Sequence, residues 1–411
     1  MKLTSTFALG FALALGGVTV AAAPAFAAQE EAAPERKFNF SDAARPALAE
    51  LQTAAQGTDA AAFQAALAKA QAAAKTTDDR YVIAQFQLNQ AIKTNDEAGK
   101  LAAIEAMIQS GGATEAELPT LYSNLGAITF NAGNYAKAAE AFKKLVELQP
   151  NNADAKSNLA AALAQQGNPA EAAALVQQRI AAAKAANQEV PEGLYKQALA
   201  LAYEARSPQS LELSRDLIAA YPTAENWRDG LMIFRDLKNP TGDANLDLMR
   251  LMRATKSLNG ERDYYELAEA VNSKGLPGEA KAVLDAGIAA KAVNPTKPAF
   301  KELLASASSK VEQDRASLAG QEAKAKASSD GKLALNTGDA YYGYGEYAKA
   351  AALYRVALEK GSVDANLVNT RLGMALALAG QKAEAEAALK AVTGPRADIA
   401  GYWLIWLNQQ A

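Results

Sequence analysis

The sequence has no cysteine and no histidine among its 411 residues. The first absence excludes disulfides, thiolate nucleophiles, c-type haem attachment, Cys/His zinc sites and a lipidated N-terminal cysteine. The second excludes imidazole as a general base, and with it Ser-His-Asp catalysis. Charge of one sign is also missing. Lys+Arg number 42 and Asp+Glu 45, a net charge of -3 at pH 7. No basic excess exists to neutralise a phosphate backbone, so no nucleic-acid partner is expected. No G-x-x-x-x-G-K-[ST] loop and no D-x-[DN]-x-[DN]-G calcium loop occurs. Ser329 to Lys332 fits S-x-x-K but lacks the S-D-N and K-T-G partners that give the motif its chemistry. No catalytic residue, no metal site and no cofactor is therefore assigned, and the chain reads as a non-enzyme.

Aromatic residues make up only 7% of the chain although half of it is hydrophobic. Much of the apolar fraction is alanine, the strongest helix former. That composition points to many close-packed helices rather than to sandwiches or barrels.

Lys2, an apolar stretch from Phe7 to Val20 and the small-x-small triplet Ala25-Phe26-Ala27 make residues 1–27 a secretory signal peptide. The expected location is periplasmic or secreted. No later uncharged stretch is long enough to span a bilayer, so no stable membrane insertion is expected after cleavage. Residues 28–41 lack periodicity and are expected to be a flexible linker.

A repeat of 34 residues runs through the middle of the chain. Leu125 aligns with Leu159, Gly133-Asn134 with Gly167-Asn168, and Ala138 with Ala172. Within the first copy Tyr122, Leu125, Gly126, Gly133, Tyr135, Ala138, Phe142 and Pro150 stand in order. This pattern resembles the tetratricopeptide repeat, with Thr129 where that family usually has an aromatic residue. The spacing has a physical reason: each repeat is two antiparallel helices, with Gly126 and Ala138 small where they cross. Gly133 supplies a left-handed turn, and Pro150 stops the second helix.

Related copies follow at 261–294, 331–364 and, one residue out of step, from Gly373 to Leu389. Degenerate copies occupy 191–222, where Ser207-Pro208 replaces the glycine turn, and 224–255. The organisation read from the chain is degenerate hairpins at 42–112, a repeat array at 119–294, a polar alanine-rich helical connector at 295–330, a repeat pair at 331–394 and a capping helix at 395–411. Ser328 to Gly331 is the expected hinge. The resemblance implies an all-α, right-handed superhelical solenoid of about nine helical hairpins.

The resemblance further implies a groove lined by the first helix of each hairpin, with one position of that helix facing it. Asn124, Asn158, Asn336 and Arg371 hold that position. Ser123 and Ser157 extend the strip, and Lys332 lies near Asn336. An asparagine amide both donates and accepts, so a ladder of them can grip an extended peptide. The alternative for each is a solvated face or a hydrogen bond between repeats. Asn336, Arg371 and Lys332 are where the family's grip on a C-terminal carboxylate could survive. The expected function is an interaction scaffold for a protein or peptide partner in the cell envelope. The rivals are self-association through Tyr402, Trp403, Ile405 and Trp406, and the binding or cleavage of envelope glycan.

Overall fold

The structure, a computed structural model, describes residues 36–410. The expected signal peptide, and residues 28–35 of the expected linker, lie outside the described residues. The described residues form twenty α-helices and no strand. The chain divides into two compact units, Met1–Asn187 and Gln188–Ala411, so the boundary falls inside the repeat array expected at 119–294.

The first unit is a series of four hairpins. They are α1 (Ala44–Gln56) with α2 (Ala60–Ala73), α3 (Thr77–Lys93) with α4 (Glu97–Gln109), α5 (Leu118–Asn131) with α6 (Tyr135–Leu148), and α7 (Ala153–Gln165) with α8 (Pro169–Ala185). The α5/α6 turn shows why the repeat needs its residues. Gly133 has φ +79, a conformation that costs a side chain energy, and the Asn134 side chain then caps α6 by accepting from the Lys137 amide. A Cβ on Gly126 would lie 2.5 Å from the Phe142 ring, so the glycine lets α5 and α6 cross closely. The same device recurs in the second unit, where Gly338 faces Tyr354 and Gly373 faces Leu389.

The second unit continues the series with α9 (Glu192–Glu204), α10 (Gln209–Ala220), α11 (Ala224–Lys238), α12 (Gly242–Ala254), α13 (Gly260–Ser273) and α14 (Pro277–Ala289). Then come α15 (Pro298–Ala327), α16 (Lys332–Gly343), α17 (Tyr347–Lys360), α18 (Ala365–Leu378), α19 (Lys382–Lys390) and α20 (Ala397–Gln409). With α9/α10, α11/α12, α13/α14, α16/α17 and α18/α19 paired, the two units hold nine hairpins. The degenerate α9/α10 turn places Arg206 in the left-handed region, φ 52, where the better copies have glycine.

The polar, alanine-rich helical connector expected at 295–330 is the single 30-residue helix α15, which packs on α13, α14 and α16 and buries Phe300, Leu303, Ala307, Leu318 and Ala325. Two expectations change on the structure. The expected hinge is fastened: the Gly331 amide donates to the Gly361 carbonyl at 2.9 Å, and Lys360 Nζ donates to the Ser328 carbonyl at 2.6 Å. The described end of the expected linker, residues 36–41, is also held. Phe38 and Phe40 pack on the core of the first unit, and the Ser41 hydroxyl donates to Asp79 at 2.7 Å. Asp79 completes a capping box with Thr76 at the start of α3. Burial alone would raise its pKa, but hydrogen bonds from the Thr76, Lys75 and Ser41 amides and the Ser41 hydroxyl hold it at about 2.

The last helix does more than cap. It covers α18 and α19, as a terminal helix should, but it also packs on α10 and α12 near the start of the unit. Tyr402 and Ser214 share a hydrogen bond of 2.6 Å across 188 residues. Trp227 and Phe234 meet the Tyr402 ring, Arg215 pairs with Asp398 at 2.6 Å, and Gln409 donates to the Ile218 carbonyl. The second unit is therefore a series of hairpins closed on itself.

Two outcomes test this packing. Gly126→Ala should destabilise the first unit by about 1–3 kcal/mol through overpacking against Phe142, and Gly126→Ala with Phe142→Leu should recover part of it. Tyr402→Ala should cost the second unit about 3–5 kcal/mol, as aromatic truncation in a core does. All three tryptophans, Trp227, Trp403 and Trp406, lie in the second unit. Their fluorescence in a urea titration therefore reads that unit alone.

Candidate functional site

The seven residues proposed for the groove fall into two groups. Ser123 and Asn124 sit on α5 and Ser157 and Asn158 on α7, consecutive first helices of the first unit. Lys332 and Asn336 sit on α16 and Arg371 on α18 of the second. Ser123, Ser157 and Asn158 are half-buried, Lys332 and Asn336 are exposed, and Asn124 and Arg371 are buried.

Arg371 is engaged by its own chain. Its guanidinium reaches Asp243 at 2.6 Å, Asp247 at 3.1 Å and Asp339 at 2.6 Å. Asp247 also takes Arg396 at 2.6 Å, Asp339 accepts from the Tyr354 hydroxyl at 2.7 Å, and the buried Arg250 pairs with Glu279 at 2.6 Å. The network ties α12, α14, α16 and α18 to the turn that precedes α20. Its partner carboxylates hold the Arg371 pKa above its ordinary value despite burial. A guanidinium so occupied has no donor directed at a ligand carboxylate, so the carboxylate grip considered for Arg371 with Asn336 is not assembled. On neighbouring first helices Arg228 pairs with Asp263 and Arg235 with Glu266, while Asn226 Oδ1 and Asn272 Oδ1 are buried without a partner. Of the four residues on which the self-association reading rests, Tyr402 and Trp403 are buried inside this unit and Ile405 and Trp406 are half-buried.

Asn124 is 3% exposed, and its Nδ2 has no hydrogen-bond partner within the protein. Gln85 on α3 is 7% exposed, and its Nε2 is also unpartnered. Leaving a buried amide donor unpaired costs about 1–3 kcal/mol, so two of them on successive first helices mark a place where acceptors are wanted. Next along, Ser157 accepts from Arg179 at 2.5 Å and donates to the Ala153 carbonyl at 2.9 Å. Sequence reasoning missed Gln85 because a fixed 34-residue step does not reach it. The left-handed turn residues are the usable register: Asn95 (φ 53), Gly133 (φ 79) and Gly167 (φ 91). Counting back from each puts Gln85, Ser123 and Ser157 at the same place, with four extra residues between the second and third hairpins.

A separate groove of about 500 Å³ runs over Tyr122 and Leu125 between α4 and α6. Of its three lysines, Lys137 and Lys144 are already paired with Glu105 and Glu147. Among the described residues no group of three or more carboxylates is placed to hold a metal ion, and no helix is long and apolar enough to cross a membrane.

The ionic network generates two outcomes. Arg371→Ala should destabilise the second unit by about 3–5 kcal/mol, because it strands buried carboxylates, and should leave partner binding by the first unit unchanged. For Asp243, burial alone would raise the pKa, but Arg371 and Lys274 outweigh it and hold it at about 2, below the ordinary 3.8. Its folded value lies below its unfolded one, so its contribution is complete above about pH 4 and is lost as the pH falls towards 2. Tryptophan-monitored urea midpoints measured between pH 6 and pH 2 should decline in that window, and less steeply in Asp243→Asn.

Two stretches of the chain, residues 128–189 and 335–400, match the tetratricopeptide repeat family. No curated protein sequence matches it. Among solved structures it is similar to a Naa15/Naa10 assembly bound to HypK-THB, at 14% identity over 86% of this chain and 65% of that one, TM-score 0.33. It is also similar to the TPR2AB domain of yeast Sti1 in complex with pHSP90, at 14% identity over 72% of this chain and 97% of that one, TM-score 0.25. A third is a tetratricopeptide repeat protein from Parabacteroides merdae ATCC 43184, at 12% identity over 80% of this chain and 99% of that one, TM-score 0.22. Residues 128–189 and 335–400 are thus tetratricopeptide repeats by sequence, and hairpins of helices lie between and around them.

Proposed function

We propose that this protein is an exported, non-catalytic scaffold of the cell envelope that holds an extended protein segment against the first helices of its N-terminal unit. The observation that carries the reading is the pair of buried, unpartnered amide donors, Gln85 Nε2 and Asn124 Nδ2, continued by the half-buried Ser157 and Asn158. An extended peptide presents backbone carbonyls that would satisfy such donors without regard to side-chain identity. In the C-terminal unit the candidate Arg371 is bound instead to Asp243, Asp247 and Asp339. Export rests on Lys2, the apolar stretch from Phe7 to Val20 and Ala25-Phe26-Ala27.

Mass spectrometry of the protein recovered from the envelope fraction should find a mature chain beginning near Ala28; a chain retaining Lys2 would remove the exported part of the proposal. For the binding part, partners are captured from the envelope fraction on the full chain, identified, and titrated as peptides. Asn124→Ala with Asn158→Ala should weaken that binding at least about tenfold, a loss of about 1.4 kcal/mol, with little change in Tm. Gln85→Met removes an unsatisfied donor and should lower affinity while leaving Tm unchanged or raised. Unaltered binding by variants that unfold would make these amides structural instead.

A further inference from the structure

Residues 36–41 are the one described segment that lies extended against the body of the first unit, and the way it is held is the way a bound peptide is held. Its backbone joins no ladder. The Asn39 amide donates to Asp78 at 2.7 Å and the Ser41 amide to Asp79 at 3.1 Å, so carboxylates at the start of α3 hold the main chain whatever side chains it carries. The side chains supply the selectivity. The Arg36 guanidinium donates to Glu117 at 2.5 Å, to Asp78 at 3.1 Å and to the Gly112 carbonyl. It lies 4.5 Å from the ring centres of both Phe38 and Tyr81. Phe38 stacks on Phe40 at 5.4 Å and meets Tyr81 at 6.4 Å. Planar cation, fork-matched carboxylates and aromatic faces make a pocket that favours arginine over lysine.

Tyr81 is fully buried beneath the segment, and burial and the neighbouring Glu117 carboxylate raise its pKa, with Arg36 opposing them.

We propose that the ends of α3 and α5 form a recognition site for an extended protein segment with an arginine two residues ahead of an aromatic residue, and that residues 36–41 are its built-in occupant, displaced when such a partner arrives. The proposal rests on the scaffold reading above and gives it a partner chemistry: a cationic, aromatic segment docking on Asp78, Glu117 and Tyr81. The site is distinct from the amide strip at Gln85 and Asn124, so the two can fail separately.

The test uses the full chain and a blocked synthetic peptide, Arg-Lys-Phe-Asn-Phe-Ser, labelled for fluorescence anisotropy. Loosening the resident segment with Arg36→Ala and Phe38→Ala should raise affinity for the peptide at least tenfold over the unaltered protein. Adding Asp78→Asn and Glu117→Gln should abolish that gain, and a peptide with alanine for the arginine should not bind. Equal binding to both proteins, or none to a loosened variant that keeps its helical circular dichroism, overturns the proposal. So does a loosened or unaltered protein that forms dimers by exchanging the segment and ignores the peptide. If the loosened variant does not fold, hydrogen exchange on the unaltered protein decides. Excess peptide should speed exchange at the Asn39 and Ser41 amides, and no change would overturn displacement. If the peptide fails here while the Asn124/Asn158 variant still loses its partner, the scaffold reading stands and this site alone falls.

Discussion

A helical hairpin buries one of its faces in its own crossing and needs a neighbour to cover the other. Every feature of this molecule follows from how that demand is met, first within a hairpin, then between hairpins, and last at the ends of each series. Within hairpins the answer is a small residue opposite a large one, as at Gly126 and Phe142. Between hairpins it is the run of alanine and leucine that stacks each pair on the next. At the ends of the described series the two units differ. The second unit brings its final helix round to its own first hairpins. The first unit lays the extended residues 36–41 over the starts of α3 and α5.

That difference separates support from recognition. Closing the second unit draws Arg371, Asp247 and Asp339 together in its interior, where their lone pairs and protons satisfy one another. Polar groups so matched give rigidity and leave little for a ligand. In the first unit the buried donors of Gln85 and Asn124 remain unmatched on successive first helices. Groups that the chain does not satisfy are where another molecule gains free energy by binding.

Much of the architecture was legible in the sequence because it is local. The left-handed turn at Gly133, the crossing at Gly126 and the stop at Pro150 each follow from residues within one repeat. That the helical connector at 295–330 is the one helix α15 was less legible, since a polar alanine-rich stretch has no internal marker that decides between one helix and two. The closure by α20 was not legible, because Tyr402 finds Ser214 at a separation that no periodicity encodes. For the same reason Arg371 was assigned to a groove: register tells which face a residue occupies, not which carboxylates stand opposite. Gln85 escaped because the loop after α4 is four residues longer than the repeat allows. Residues 36–41 were read as free because nothing nearby in sequence holds them; Asp78, Gly112 and Glu117 do.

The bond between Tyr402 and Ser214 also sets an order of assembly. An open repeat array can begin folding at any point and grow in either direction, because each contact is between neighbours. A series whose last helix seals its first must instead bring together residues nearly the whole unit apart, and that loop closure is slow. During synthesis the N-terminal unit has all its contacts once Asn187 has emerged. The C-terminal unit has to wait, with Trp227 and Phe234 uncovered by Tyr402, until α20 has left the ribosome.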